Sequence, residues 1–156
     1  PYSMSVKTET TNESGLALSD WQAGVTGGIL GAVAMAVAIS AMNPPTLSMA
    51  IPGLYGLSGG IAGWVVHLSH GAVLGVAFAW GVGPDGLSIE SVGQYLGSGA
   101  VWGAVTWVLL AAIIMPVWLN AVGFPNAPPL PNFAVPSLLW HLIYGVVLGA
   151  VYPRLR

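Results

Sequence analysis

Trp64-Val-Val-His67-Leu-Ser-His70-Gly71-Ala-Val-Leu74-Gly75-Val and Leu139-Trp140-His141-Leu-Ile-Tyr144-Gly145-Val-Val-Leu148-Gly149-Ala carry nearly the same pattern. His67 aligns with His141, His70 with Tyr144, Gly71 with Gly145, Leu74 with Leu148 and Gly75 with Gly149. The two stretches lie close to half a chain apart, and both are apolar enough for a membrane helix. Two histidines are thereby placed at equivalent depths in two related helices.

Composition fixes the surroundings of those helices. Of 156 residues, 55% are hydrophobic and 5% are charged, against roughly 25% charged in an ordinary soluble domain. A surface so poor in charge needs lipid rather than water around it, which predicts an integral membrane protein in the lipid bilayer. Cysteine is absent, which removes disulfides, thiolate metal sites and cysteine nucleophiles. The net charge of −2 comes with no basic cluster, so no nucleic acid is expected as a partner.

The chain divides into two similar halves. Residues 1–20 form a polar N-terminal tail with too little apolar surface to fold alone. Met4 is read as the natural start, and the acidic character of the tail argues against a cleavable signal peptide. Repeat 1, residues 21–81, holds spans over 22–42 and 59–81 joined by a charge-free connection, 43–58, containing Pro and Gly. A polar turn, 82–94, leads to repeat 2, residues 95–156. Its spans cover 95–119 and 137–153, joined by the Pro-rich connection 120–136. Each span approaches the roughly 20 residues a bilayer requires. Pro116 is expected to kink the third span in its last turn.

The first and third spans also match. Gly27-Gly28-Ile-Leu-Gly31-Ala-Val corresponds to Gly99-Ala-Val-Trp-Gly103-Ala-Val. The fold class expected is an all-α membrane protein of four transmembrane helices. Two parallel helix-pair repeats would be related by a pseudo-twofold along the membrane normal. Lys7, Arg154 and Arg156 lie on the two termini and neither connection carries Lys or Arg. The positive-inside rule therefore puts both termini in the cytoplasm of a plasma-membrane protein. The connections carry Leu47, Met49, Ile51, Leu54, Tyr55, Phe124, Leu130 and Phe133. They are expected either to cap the bundle or to bury against another protein.

The candidate site is the repeated histidine helix: His67, His141, His70, Tyr144, Gly71, Gly145, Gly75 and Gly149. One reading is a haem b held by His67 and His141 as axial ligands from the second and fourth helices. The glycines would form a flat wall for the porphyrin, and His70 or Tyr144 would meet a propionate or a bound water. That reading requires the second and fourth helices to stand apart, and an electron-transfer subunit would follow. The other reading makes Gly71-xxx-Gly75 and Gly145-xxx-Gly149 small-xxx-small helix contacts, with the histidines as neutral hydrogen-bonding groups. A zinc or copper site from His67, His70 and His141 is a weaker option, since no carboxylate or thiolate lies within a span. Proton or small-solute transport would have to rest on histidine alone, because all five acids fall outside the spans. No acid is available for a Ser-His-Asp arrangement, and no glycine pair is followed by the lysine of a phosphate loop.

The polar Thr/Glu/Ser tail, the four Gly/Ala-rich spans and the repeated His-xxx-Gly-xxx-Gly helix resemble a family of small uncharacterised membrane proteins of salt-loving archaea. The resemblance covers about residues 20–153. It implies four spans and brings no activity with it. The expected function is that of a small integral membrane subunit, structural or accessory, in a homo-oligomer or larger membrane complex. The alternatives are the haem b electron-transfer subunit, and a protein that binds a pigment or lipid or transports a small solute.

Overall fold

In a computed structural model the described residues are 17–156, so most of the N-terminal tail, with Met4, lies outside them. The described chain is all helical: α1 (Asp20–Met42), α2 (Ile51–Gly53), α3 (Gly60–Val82), α4 (Val92–Thr106), α5 (Met115–Ala121) and α6 (Val135–Leu155). π-Helical segments, Thr46–Ala50 and Trp107–Ile114, precede α2 and α5. Four helical stretches are long and apolar enough to cross a membrane: Asp20–Met42, Gly60–Val82, Val92–Ala121 and Val135–Leu155. Large apolar side chains such as Ile61, Val65, Val73 and Trp80 on α3 remain exposed, as expected for a surface solvated by lipid.

Two of these helices begin on the same device. Ser19 and Ser91 are N-caps, each closed by a glutamine three residues on. The Ser19 N–H donates to Gln22 Oε1 at 3.1 Å and the Ser91 N–H to Gln94 Oε1 at 3.1 Å. Such a capping box satisfies helix-end donors at the point where the chain enters an apolar phase.

Glycine sets the packing. α1 carries two adjacent glycine stripes. Gly24 and Gly28 lie against Gly71 and Gly75 of α3, whereas Gly27 and Gly31 lie against Leu148, Tyr152 and Tyr144 of α6. α4 carries one stripe, with Gly99 and Gly103 against Gly145, Gly149 and His141 of α6. The order across the bundle is therefore α3, α1, α6, α4, and α3 meets α4 at only a few residues. Two details of the sequence reading change. In the helix crossing Gly28, not Gly27, plays the part of Gly99. Gly27 and Gly31 serve the α1–α6 seam, which α4 does not need because only α6 packs along it. A strict twofold would bring α3 and α4 as close as α1 and α6, and they are not.

The connections fold back onto the bundle. Leu47, Ile51 and Leu54 are buried, and the Phe124 ring lies on Gly53. Proline explains how irregular backbone survives there. Its ring excludes the normal hydrogen bond to the carbonyl four residues earlier, and in an apolar phase that carbonyl needs another donor. Pro52 frees the Ser48 carbonyl, which accepts from the Gly59 N–H at 2.7 Å. Pro116 frees the Ala112 carbonyl, which accepts from the Asn132 N–H at 2.9 Å. Wide π turns before each proline make room for this exchange. Pro116 thus fastens the second connection to the third span.

At the opposite end the termini are clasped together. The Leu18 N–H donates to the Leu155 carbonyl at 2.8 Å, and the Tyr152 hydroxyl to Asp20 Oδ1 at 3.0 Å. Arg156 Nε stands 3.4 Å from Asp20 Oδ1.

Candidate functional site

Beneath the two connections the four helices diverge around a cavity of about 860 Å³. It lies within the roughly 300–1,000 Å³ range of small-molecule sites. Every membrane-spanning stretch and both connections contribute to its wall. His67, His70, Gly71, His141 and Tyr144 all line it, together with Met35, Leu74, Leu110, Trp118 and Trp140. Among the described residues no Asp, Glu, Lys or Arg does. A smaller space of about 560 Å³ between α3 and α4 is lined by apolar residues with Ser88, Ser98, Gln94 and Trp102, and by no titratable side chain.

Helical spacing puts His67, Gly71 and Gly75 on the buried side of α3, one and two turns apart. At that position the His67 Nε2–H donates to the Ala32 carbonyl of α1 at 3.0 Å. The His141 Nδ1–H donates to the Ser137 carbonyl one turn earlier on α6, at 2.7 Å. His70 Nε2 pairs with the Tyr55 hydroxyl at 2.7 Å, and the Tyr55 ring stands edge-on to Trp118 with centroids 5.3 Å apart. The Tyr144 hydroxyl crosses from α6 to the Gly71 carbonyl of α3 at 2.8 Å. Tyr144 also packs on Gly31 of α1, so it bridges α3 and α6 at the cavity floor, and farther along Phe78 of α3 meets Tyr152 of α6 edge-on with centroids 5.8 Å apart.

The eight residues singled out in the sequence therefore separate into two groups. His67, His70, His141, Tyr144 and Gly71 face one cavity. Gly75, Gly145 and Gly149 are in backbone contact with Gly24, Gly99 and Tyr95. The haem reading needs the second and fourth helices apart, and glycine packing between those two helices would forbid it. In the structure the glycines pack each of those helices against the partner of its own pair, which leaves the space between α3 and α6 open. Tyr55 is the main site residue that sequence reasoning passed over. It lies in a connection, and only the fold places it beside His70. Thr106, Ser137 and Trp140 also line the site without any motif to mark them.

A haem does not fit the side chains as they stand. The His67 Nε2, the nitrogen remote from the chain, is engaged with Ala32, and the cavity offers no cation for propionates. Among the described residues no three His, Cys, Asp or Glu side chains come together to hold a metal ion. His67, His70 and His141 are therefore neighbours around a space rather than three ligands of one centre. No protein-family model, curated protein or solved structure matches the chain.

Removing the Tyr144 hydroxyl tests the floor of the site. Tyr144→Phe is expected to lower stability by about 0.6–2 kcal/mol, the range for hydrogen bonds between membrane helices. Thermal unfolding in nanodiscs would report it.

Proposed function

We propose that the protein binds a small, uncharged, mainly apolar molecule in the cavity between α3 and α6, and thus belongs to the pigment- or lipid-binding class rather than to structural subunits. One observation carries this reading: a cavity of ligand size, walled by all four spanning stretches, gathers three histidines and two tyrosines and, among the described residues, no charged side chain. An apolar wall with a few convergent polar groups is the usual form of a small-molecule site. The accessory-subunit reading drew on charge-free connections in search of a partner. Leu47, Ile51 and Leu54 are buried within the chain itself, which answers part of that motive, whereas Met49, Tyr55, Leu130 and Phe133 stay exposed.

The same proposal takes the protein as a multi-pass plasma-membrane protein with both termini in the cytoplasm, so that the cavity opens in the outer half of the bilayer. Lys7, Arg154 and Arg156 support that orientation. It also takes the pairs α1–α3 and α4–α6 as descendants of one repeated unit. The matched capping boxes and the matched crossings at Gly28–Gly71 and Gly99–Gly145 support the duplication. A homo-oligomer is compatible with this scheme, but the site is complete within one chain.

Ligand binding to the native state alone stabilises it by about 2.7 kcal/mol at a concentration one hundredfold above Kd. An organic extract of the native membrane, reconstituted with the purified protein in nanodiscs, is expected to raise its unfolding midpoint saturably. An unchanged midpoint at every loading would overturn the proposal.

A further inference from the structure

We infer that the molecule this cavity takes carries a neutral hydrogen-bond donor, a hydroxyl on an apolar body, and that one of the two bare imidazole nitrogens, His67 Nδ1 or His141 Nε2, accepts its proton. The inference rests on the binding reading above and names the chemistry of its ligand.

The argument begins with the two rings. A neutral imidazole has one N–H and one bare nitrogen. A backbone carbonyl only accepts, so the nitrogen facing it must carry the hydrogen. His67 donates through Nε2 to Ala32 and is left with a bare Nδ1. His141 donates through Nδ1 to Ser137 and is left with a bare Nε2. Neither bare nitrogen has a hydrogen-bond partner among the described residues, and neither is fully buried, the Trp102 indole nitrogen being the one such side-chain atom there; both residues line the cavity. No carboxylate lines the cavity to hold either ring as an imidazolium. Both histidines therefore present lone pairs.

Four of the donors lining the space are already engaged, whereas the Tyr55–His70 pair keeps one proton unspent, on the Tyr55 hydroxyl or the His70 ring, and the Thr46 hydroxyl and Trp118 indole also line it. The Thr106 hydroxyl donates to the Gly103 carbonyl at 2.9 Å and the Ser137 hydroxyl to the Ala134 carbonyl at 2.6 Å. The Tyr144 hydroxyl is held by Gly71 at 2.8 Å, and the Trp140 indole N–H by Met42 Sδ at 3.1 Å. The remaining amides, those of Asn43, Asn126 and Asn132, belong to the connections at the rim. The wall thus holds two unmatched acceptors, the bare nitrogens of His67 and His141. An ether or a ketone has no proton to give them and would leave both unmatched, which is costly in an apolar site. A hydroxyl has one proton and would supply one of the two hydrogen bonds that the histidines otherwise lack.

The experiment uses matched probes that differ in that proton alone. A series of 4-alkylphenols, butyl to dodecyl, and the corresponding 4-alkylanisoles would be titrated against the protein in phosphatidylcholine nanodiscs, with empty nanodiscs correcting for partition. Quenching of tryptophan fluorescence would report binding, since Trp118 and Trp140 line the cavity. The phenols are expected to bind saturably and about tenfold more tightly than their methyl ethers, the effect of about one net hydrogen bond. His67→Phe or His141→Phe, whichever removes the accepting nitrogen, should reduce that preference, and a preference untouched by both would overturn the assignment. Equal binding of phenol and ether by the wild-type protein would overturn the donor assignment and leave the cavity reading standing. Absence of saturable binding across both series would overturn the assignment and the cavity reading with it. The wild-type comparison decides the matter even where a variant fails to fold.

Discussion

Gly145→Ala is expected to destabilise the protein, whereas Gly97→Ala is expected to stabilise it. Both glycines are helical, so the intrinsic preference for Ala over Gly, about 1 kcal/mol in a helix interior, is shared. Their surroundings are opposite. A Cβ on Gly145 would fall on the Gly99 carbonyl and near the Gly103 backbone nitrogen at 2.9 Å, and backbone cannot step aside as a side chain can. A Cβ on Gly97 would meet nothing within 4 Å. Overpacking a tight contact costs about 1–3 kcal/mol, so the net effect at Gly145 has the opposite sign to that at Gly97. Gly145→Leu should go further and part α4 from α6. Unfolding midpoints of the two alanine variants in nanodiscs would check the sign. Destabilisation of equal size at both positions would mean that glycine content, not the crossing at Gly99, governs assembly.

Ala111→Trp is expected to abolish ligand binding with little loss of stability. Ala111 belongs to the π-helical segment and lines the cavity. An indole there occupies space that the fold leaves empty, unlike a side chain forced into a packed core. The stabilisation by membrane extract, expected in the wild-type protein, should disappear in this variant. Leu110→Trp, one residue earlier on the same wall, should act alike. If both variants keep the ligand-dependent shift, the ligand sits elsewhere, and the groove between α3 and α4 becomes the place to look.

The spans were legible because a bilayer imposes a length and a polarity that composition alone can satisfy. The sequence reading placed the second span at 59–81, and the helix runs Gly60–Val82; it placed the fourth at 137–153, and the helix runs Val135–Leu155. His67 and His141 stood out because an ionisable group inside a span is conspicuous. Glycine stripes were legible as helix contacts, but not which helices they join. Gly27 and Gly28 are adjacent in sequence yet serve α6 and α3 respectively, a choice set by the order of helices across the bundle. That order also decides whether a gap opens between α3 and α6, so the cavity could not be read in advance. The connections hid the rest. Their prolines signal broken helix, but the partners of the freed Ser48 and Ala112 carbonyls are distant in the chain or set by the return of the backbone. Tyr55 meets His70 only through that return.

The most direct test is to purify the protein from its native membrane without exchanging lipid, extract it with organic solvent, and identify by mass spectrometry what accompanies it, alongside Ala111→Trp prepared identically. The account predicts one uncharged, hydroxyl-bearing apolar molecule in near-equal amount to the wild-type protein and its loss from the variant. Recovery of the same bulk lipids in the same amounts from both would contradict it.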